Sequence, residues 1–164
     1  MNIQRIGLIG HGEVGKIFSA GLKDKPGVTA VGAWDLKFAD TATREAELDH
    51  CRRHGVTAHG SMRELCETSD LLISAVTASN TLAVAREAAR FIHPGSVFLD
   101  LNSASPGTKQ QAAAAIDARG AVYVEAGVMT SVPPYGIRVP MLLGGPQAAT
   151  LAALLTDWAW TPKR

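Results

Sequence analysis

The segment Gly10-His11-Gly12-Glu13-Val14-Gly15 constrains the fold more than any other stretch of the chain. It matches G-x-G-x-x-G, and its surroundings give that match its weight. The apolar run from Ile3 to Ile9 precedes it and predicts a strand. Behind it, Val14, Ile17, Phe18, Gly21 and Leu22 recur at helical spacing and predict one buried helix face. At such a corner Gly10 permits the tight turn. Gly12 lets a pyrophosphate approach the backbone, and Gly15 lets helix and strand pack closely. The helix N-terminus offers unpaired N–H groups and partial positive charge to phosphate. Residues 10–15, with His11, Glu13 and Val14 among them, are therefore candidate dinucleotide-binding residues.

The rest of the chain repeats the alternation. Apolar runs at Val28–Trp34, Leu71–Val76, Val97–Leu101, Val122–Glu125 and Val139–Leu143 predict strands, with a shorter one at Val56–Ala58. Helical patterns fall near Asp40–His54, stopped by Gly55, and at Asn80–Phe91, stopped by Pro94-Gly95. Ser61-Met62-Arg63-Glu64 has capping-box spacing, and Ser105-Pro106 opens a helix that Gly120 ends. A last helix is expected near Gln147–Leu155. Strands alternating with helices predict a doubly wound, mainly parallel α/β sheet of Rossmann type over residues 1–155, with an irregular tail at 156–164. Gly127–Gly136, which holds Pro133-Pro134, is the one long loop expected.

The second strand ends at Asp35, twenty residues beyond Gly15. A carboxylate there accepts hydrogen bonds from the adenosine ribose and repels a 2′-phosphate, so NAD is expected over NADP. Leu36 and Lys37 follow in the same turn, and Lys37 offers a point charge that could rescue NADP. The stretch also reads G-x-x-x-x-G-K, but a P-loop needs Ser or Thr next, and Ile17 stands there. Lys16 then reads as a solvated helix residue. Short-chain dehydrogenase chemistry needs a Lys four residues after a Tyr; Tyr123 is followed by Gly127 and Tyr135 by Val139. His50, His54 and His59 beside Cys51 match no standard zinc spacing and read as a solvated helix face, so no metal site is expected.

Composition narrows the class further. The 164 residues carry 16 Lys plus Arg against 15 Asp plus Glu, a net charge of +1, which gives no electrostatic footprint for nucleic acid or an acidic membrane surface. No apolar run reaches the ~18 residues of a membrane span. With only Cys51 and Cys66, a disulfide framework is not expected, and a cytoplasmic location is the simplest reading.

Ile6-Gly7-Leu8-Ile9-Gly10-His11-Gly12-Glu13-Val14-Gly15 resembles the opening of the β-hydroxyacid dehydrogenases, the family of 3-hydroxyisobutyrate dehydrogenase and of the coenzyme domain of 6-phosphogluconate dehydrogenase. Leu99-Asp100-Leu101-Asn102-Ser103-Ala104-Ser105-Pro106, Tyr123-Val124-Glu125-Ala126 and Met141-Leu142-Leu143-Gly144-Gly145-Pro146 extend the likeness over about residues 3 to 150. The resemblance implies an NAD(P)-dependent oxidoreductase that moves hydride between an alcohol of hydroxy-acid type and nicotinamide. It implies that Val76 and Thr77 line the adenosine and ribose side, and that Asn102 and Ser103 sit near the nicotinamide ribose and amide.

Two departures qualify it. Where family members carry Ser-Gly-Gly for the substrate carboxylate, this chain has Gly127-Val128-Met129-Thr130-Ser131. Met129, Thr130 and Ser131 are the candidate substrate residues, with Met129 making the pocket more apolar. The family's catalytic Lys lies on a later helical domain that also forms the dimer, and no lysine here matches it; Lys109 is expected to face water. No catalytic residue is therefore assigned. The expected function is a coenzyme-binding half that binds dinucleotide with little or no turnover, and homo-oligomer formation stays open. The alternative is a non-catalytic dinucleotide module or sensor that needs a helical partner; Trp158 and Trp160 are the only candidate docking stripe, and packing over the last helix is the favoured reading of that pair.

Overall fold

The computed structural model describes residues 1–158 and the backbone of 161–163. In chain order the elements are β1 (Arg5–Ile9), α1 (Glu13–Leu22), β2 (Ala30–Trp34), α2 (Arg44–His54), β3 (Thr57–Ala58), α3 (Met62–Glu67), β4 (Leu71–Ser74) and α4 (Thr81–Ala89). β5 (Val97–Asp100), α5 (Pro106–Asp117), β6 (Val122–Val128), β7 (Pro140–Gly144), α6 (Ala148–Asp157) and β8 (Thr161–Lys163) complete it. One sheet contains all the described strands, in the order β3-β2-β1-β4-β5-β6-β7-β8. Every pairing is parallel except β6 with β7. The strand order reverses between β1 and β4, and the crevice at that switch point is where an open α/β sheet holds its ligand.

Local chemistry sets the element ends. Ser61 Oγ accepts from the Glu64 N–H at 3.1 Å, and Ser105 Oγ from the Thr108 N–H at 3.2 Å, with Pro106 in the first helical turn. Gly55 closes α2 in the left-handed conformation, at φ +66°. β4 and β5 are buried along their whole length, as strands covered on both faces must be. α1, α2 and α6 cover one face of the sheet, where Phe18, Leu22, Cys51, Leu151 and Leu155 join Leu8, Val31 and Leu143 in one core cluster. α3, α4 and α5 cover the other, where Met62, Leu65, Ala88 and Ile116 pack on Leu72 and Phe98.

The structure departs from the sequence pattern in two places. β6 continues to Val128, so the first two residues of the expected Gly127–Gly136 loop pair with Leu142 and Met141 of β7. The tail from 156 is not wholly irregular: α6 runs to Asp157, and Thr161–Lys163 forms an edge strand on β7. Trp158 is buried against the α6 side of the core, and its Nε1–H donates to the Pro26 carbonyl at 3.0 Å. Trp160 lies outside the described residues.

Asp70, at the entry to β4, ties β1 to its neighbour. Its carboxylate accepts from the N–H groups of Gln4 (3.1 Å) and Arg5 (2.8 Å) and from the Arg5 guanidinium (3.0 Å). Partial burial pushes the Asp70 carboxyl up, but the guanidinium and the two N–H groups outweigh it and hold it below its ordinary value. A depressed carboxyl stabilises the fold above its unfolded pKa and loses that contribution as pH falls through the folded value. Asp70→Ala should therefore cost about 1–2 kcal/mol at pH 7. In urea titrations the gap from wild type should close as the pH is taken well below ~4.

Candidate dinucleotide site

The corner between β1 and α1 is built by exclusion of side chains. Gly10 sits at φ +97°, and a Cβ there would collide with the Ala75 carbonyl oxygen. A Cβ on Gly15 would collide with the Gly10 carbonyl oxygen. A Cβ on Gly12 would meet nothing within 4 Å. The first and third glycines are thus required by the fold itself, while the space beside Gly12 is open. Gly12 is also the N-cap of α1, and no side chain caps that end. The first-turn N–H groups are left as donors beside the open space.

Two clefts meet at this point. A cleft of about 510 Å³ is lined by Gly10, Gly12, Asp35, Leu36, Lys37, Val76 and Thr77 among others. A second, of about 490 Å³, is lined by Gly12, Glu13, Val14, Val76, Asn102, Ser103 and Thr130 among others. Gly12, Ala75 and Val76 belong to both, so the two form one crevice across the strand-order switch. Trp34, Ala83 and Val84 also wall the first cleft, and Val128 and Val132 the second. The sequence reading missed these; the signal for Trp34 is its place at the end of β2, immediately before Asp35.

Asp35 points at the glycine loop. Its Oδ2 accepts from the His11 N–H at 2.7 Å and its Oδ1 from the Lys37 N–H at 2.9 Å. Each oxygen keeps acceptor capacity for a further hydroxyl. The side chain of His11 turns the other way. It is fully buried, with Nδ1 3.2 Å from Glu47 Oε2 and Nε2 3.8 Å from Cys51 Sγ, and its ring meets Phe38 and His50 edge-on. Burial lowers the His11 pKa despite the adjacent carboxylate, so the ring is neutral at pH 7 and donates Nδ1–H to Glu47. Only the backbone of His11 faces the loop's open side.

Glu47 is the functional-site neighbour that sequence reasoning missed. Its Oε1 accepts from Lys16 Nζ at 3.0 Å and lies 3.8 Å from Lys37 Nζ. Burial pushes its carboxyl up, but bonds from Lys16 and His11 and the charge of Lys37 prevail and hold it low. Lys16 is thus an ion-pair partner rather than a solvated helix residue, because the Glu47 side chain of α2 reaches it. Cys51 and His50 likewise face His11 instead of forming a solvated face, and burial pushes the Cys51 thiol up to about 11. His59, half-buried, pairs with Glu64 at 2.8 Å. Among the described residues no group of three His, Cys, Asp or Glu side chains is placed to hold a metal ion.

In the second cleft Asn102 is buried and committed. Its Oδ1 accepts from the Val76 N–H at 2.8 Å, its Nδ2–H donates to Ser74 Oγ at 2.9 Å, and its own N–H donates to Asp100 Oδ1. Tyr123 Oη donates to the other Asp100 oxygen at 2.7 Å. Burial, with Asp100 beside it, raises the Tyr123 pKa, so it stays a protonated donor. This network fixes the loops after β4 and β5 relative to each other and leaves Ser103 exposed at the rim. Of the three candidate substrate residues, Thr130 lines the cleft; Met129, 65% exposed, and Ser131 do not. Lys109 does not simply face water: its Nζ donates to the Ala126 carbonyl at 3.4 Å, away from the crevice.

The family model for the NAD binding domain of 6-phosphogluconate dehydrogenase matches residues 5–153. An uncharacterised 28.5 kDa protein of Methanothermus fervidus is 32% identical over 113 residues, 69% of this chain and 41% of its own. A solved conserved hypothetical protein of Sinorhizobium meliloti is 33% identical with a TM-score of 0.91, over 99% of this chain and 54% of its own. Another solved conserved protein of unknown function, described as similar to 3-hydroxyacid dehydrogenases, is 27% identical with a TM-score of 0.79, over 97% of this chain and 56% of its own. The chain therefore spans about half the length of these relatives or less. No helix among the described residues is long and apolar enough to cross a membrane. With glycine corner, switch-point crevice and family match in agreement, the chain belongs to the family of 6-phosphogluconate dehydrogenase NAD-binding domains, and its Rossmann-like fold is that of the hydroxyacid dehydrogenases.

Proposed function

We propose that the chain is the coenzyme-binding half of a hydroxy-acid dehydrogenase-like oxidoreductase, with NAD(H) as its preferred dinucleotide. The observation that carries this reading is the open space beside Gly12, where two clefts and an uncapped helix N-terminus converge. The pyrophosphate would lie against Gly12 and the first-turn N–H groups of α1. The adenosine would enter the larger cleft between the exposed Leu36 and the walls of Val76, Ala83 and Val84, with its ribose hydroxyls on Asp35. A 2′-phosphate would meet the Asp35 carboxylate, which supports NAD over NADP.

The nicotinamide, which supplies hydride transfer when bound, would occupy the second cleft against Val14 and Val128, with the hydroxyls of Ser103 and Thr130 in reach of its amide. Thr130, with Met129 and Ser131 on the same loop, would face the substrate. Glu13 is the only titratable side chain among the described residues lining that cleft. Binding and orientation therefore fall to this chain, while the proton-transferring group, a Lys by resemblance, belongs to a helical segment.

Two outcomes test the reading. Calorimetry, or quenching of Trp34 at the cleft wall, should detect NADH binding tighter than NADPH by about tenfold, the discrimination expected of one repulsive charge contact. Turnover of hydroxy acids by the chain alone should be undetectable, and heat from neither coenzyme at millimolar concentration would overturn the assignment. Gly12→Val should cost no more than about 1 kcal/mol, the loss of a glycine N-cap, yet weaken NADH by more than about tenfold, because the added side chain enters the phosphate space. Gly10→Ala should instead destabilise the chain by about 1–3 kcal/mol through its left-handed backbone, read by urea titration.

A further inference from the structure

One buried carboxylate bridges three segments beside the larger cleft: the glycine loop, the start of α1 and the turn after β2. Glu47, on α2, accepts from Lys16 in the first turns of α1, pairs with His11 at the loop tip, and attracts Lys37 in the turn that follows Asp35. We propose that Glu47 is a specificity-determining positioning residue: by holding the Lys37 ammonium behind the glycine loop, it denies a 2′-phosphate its counter-charge and enforces NAD(H). The inference rests on the dinucleotide reading above and adds to it the group that sets coenzyme choice.

Lys37 is placed to act either way. Its backbone N–H holds Asp35 Oδ1 at 2.9 Å, and the residue lines the larger cleft. Its Nζ, however, lies 3.5 Å from the His11 carbonyl and 3.8 Å from Glu47 Oε1. The side chain is 39% exposed, so it is held by charge and not locked by packing. Around the loop Asp35, Glu47 and Glu13 face Lys16 and Lys37, with His11 neutral and Glu87 also lining the larger cleft. Neutralising Glu47 removes the carboxylate nearest the Lys37 ammonium and makes the field at that ammonium less negative. The ammonium then has a better partner in a 2′-phosphate beside Asp35, a charge-assisted contact.

Glu47→Gln is the informative change because it keeps shape and an acceptor oxygen for Lys16. Its amide N–H can donate to His11 Nδ1 once the imidazole proton moves to Nε2. Dissociation constants for NADH and NADPH, measured on the 164-residue chain, should show the NADPH-to-NADH affinity ratio rising roughly tenfold. Adding Lys37→Ala to Glu47→Gln should return the ratio to the wild-type value. A purely structural role for Glu47 would weaken both coenzymes together and leave the ratio within about twofold, which would overturn the proposal.

Lys37→Ala in the wild-type background gives an independent arm if Glu47→Gln folds poorly. A sequestered ammonium predicts an unchanged ratio. A selective loss of NADPH would mean that Lys37 already reads the 2′-phosphate, and the proposal would fall while the dinucleotide reading stood. Wild-type chain binding neither coenzyme would instead overturn the dinucleotide reading, and this proposal with it.

Discussion

Contact between backbone and backbone at the β1–α1 corner is the constraint from which the site follows. The Gly10 carbonyl lies where a Cβ on Gly15 would be, and the Ala75 carbonyl lies where one on Gly10 would be. Those two approaches bring the start of α1 and the end of β4 onto β1 without intervening side chains. The Gly10 N–H can then reach the Trp34 carbonyl at 2.9 Å, and the Ala75 N–H the Ile9 carbonyl at 2.9 Å, so three strand ends are drawn into one floor. Gly7, further back on β1, instead makes room for side chains: a Cβ there would press into those of Ser69 and Leu65. The helix N-terminus is aimed into the crevice because these contacts fix its angle, and its dipole is useful only at that angle.

The charges around the loop obey a second constraint. A buried carboxylate is tolerated when its partners are close and its remaining lone pairs are filled. Glu47 meets that condition with Lys16, Lys37 and a neutral His11. Asp35 meets it differently, through two backbone N–H groups, and so keeps oxygen lone pairs for a ligand. Two carboxylates near one loop therefore have different duties. The one satisfied by lysine side chains organises the loop from behind, and the one satisfied by main-chain donors faces the crevice.

Which features were legible in the sequence depends on how local their causes are. The glycine corner, the Asp35 spacing, the Ser61 and Ser105 caps and the strands β4 and β5 are written in short stretches, and the structure contains them where the patterns lie. The pairing of Lys16 with Glu47 spans 31 residues and depends on where the fold places α2, so α1's own periodicity leaves Lys16 on a polar face with no sign of a partner. His11 is similar: its motif places the backbone, but the side chain's burial against Cys51 and Phe38 comes from α2 and the turn after β2. The extension of β6 to Val128 is set by its antiparallel partner β7, and the edge strand at Thr161–Lys163 by the free side of β7, neither of which a local pattern encodes.

The furnishing of the two clefts argues for a division of labour. Hydride transfer needs coenzyme and substrate held within contact and a group that takes or gives a proton. The second cleft offers apolar walls in Val14, Val76, Val128 and Val132, hydroxyls in Ser103 and Thr130, and a rigid seam in which Asn102 and Asp100 are already committed to the protein. Recruiting Asn102 to chemistry would unpair the Val76 N–H and loosen the loop that both clefts share; recruiting Tyr123 would leave Asp100 Oδ2 buried without its donor. Asn102, the buried polar side chain that lines the second cleft, is thus one the fold can least release. On the proposed reading, the acid–base group must approach from the open side of the crevice, over Thr130 and Ser103, where the described residues leave the rim exposed.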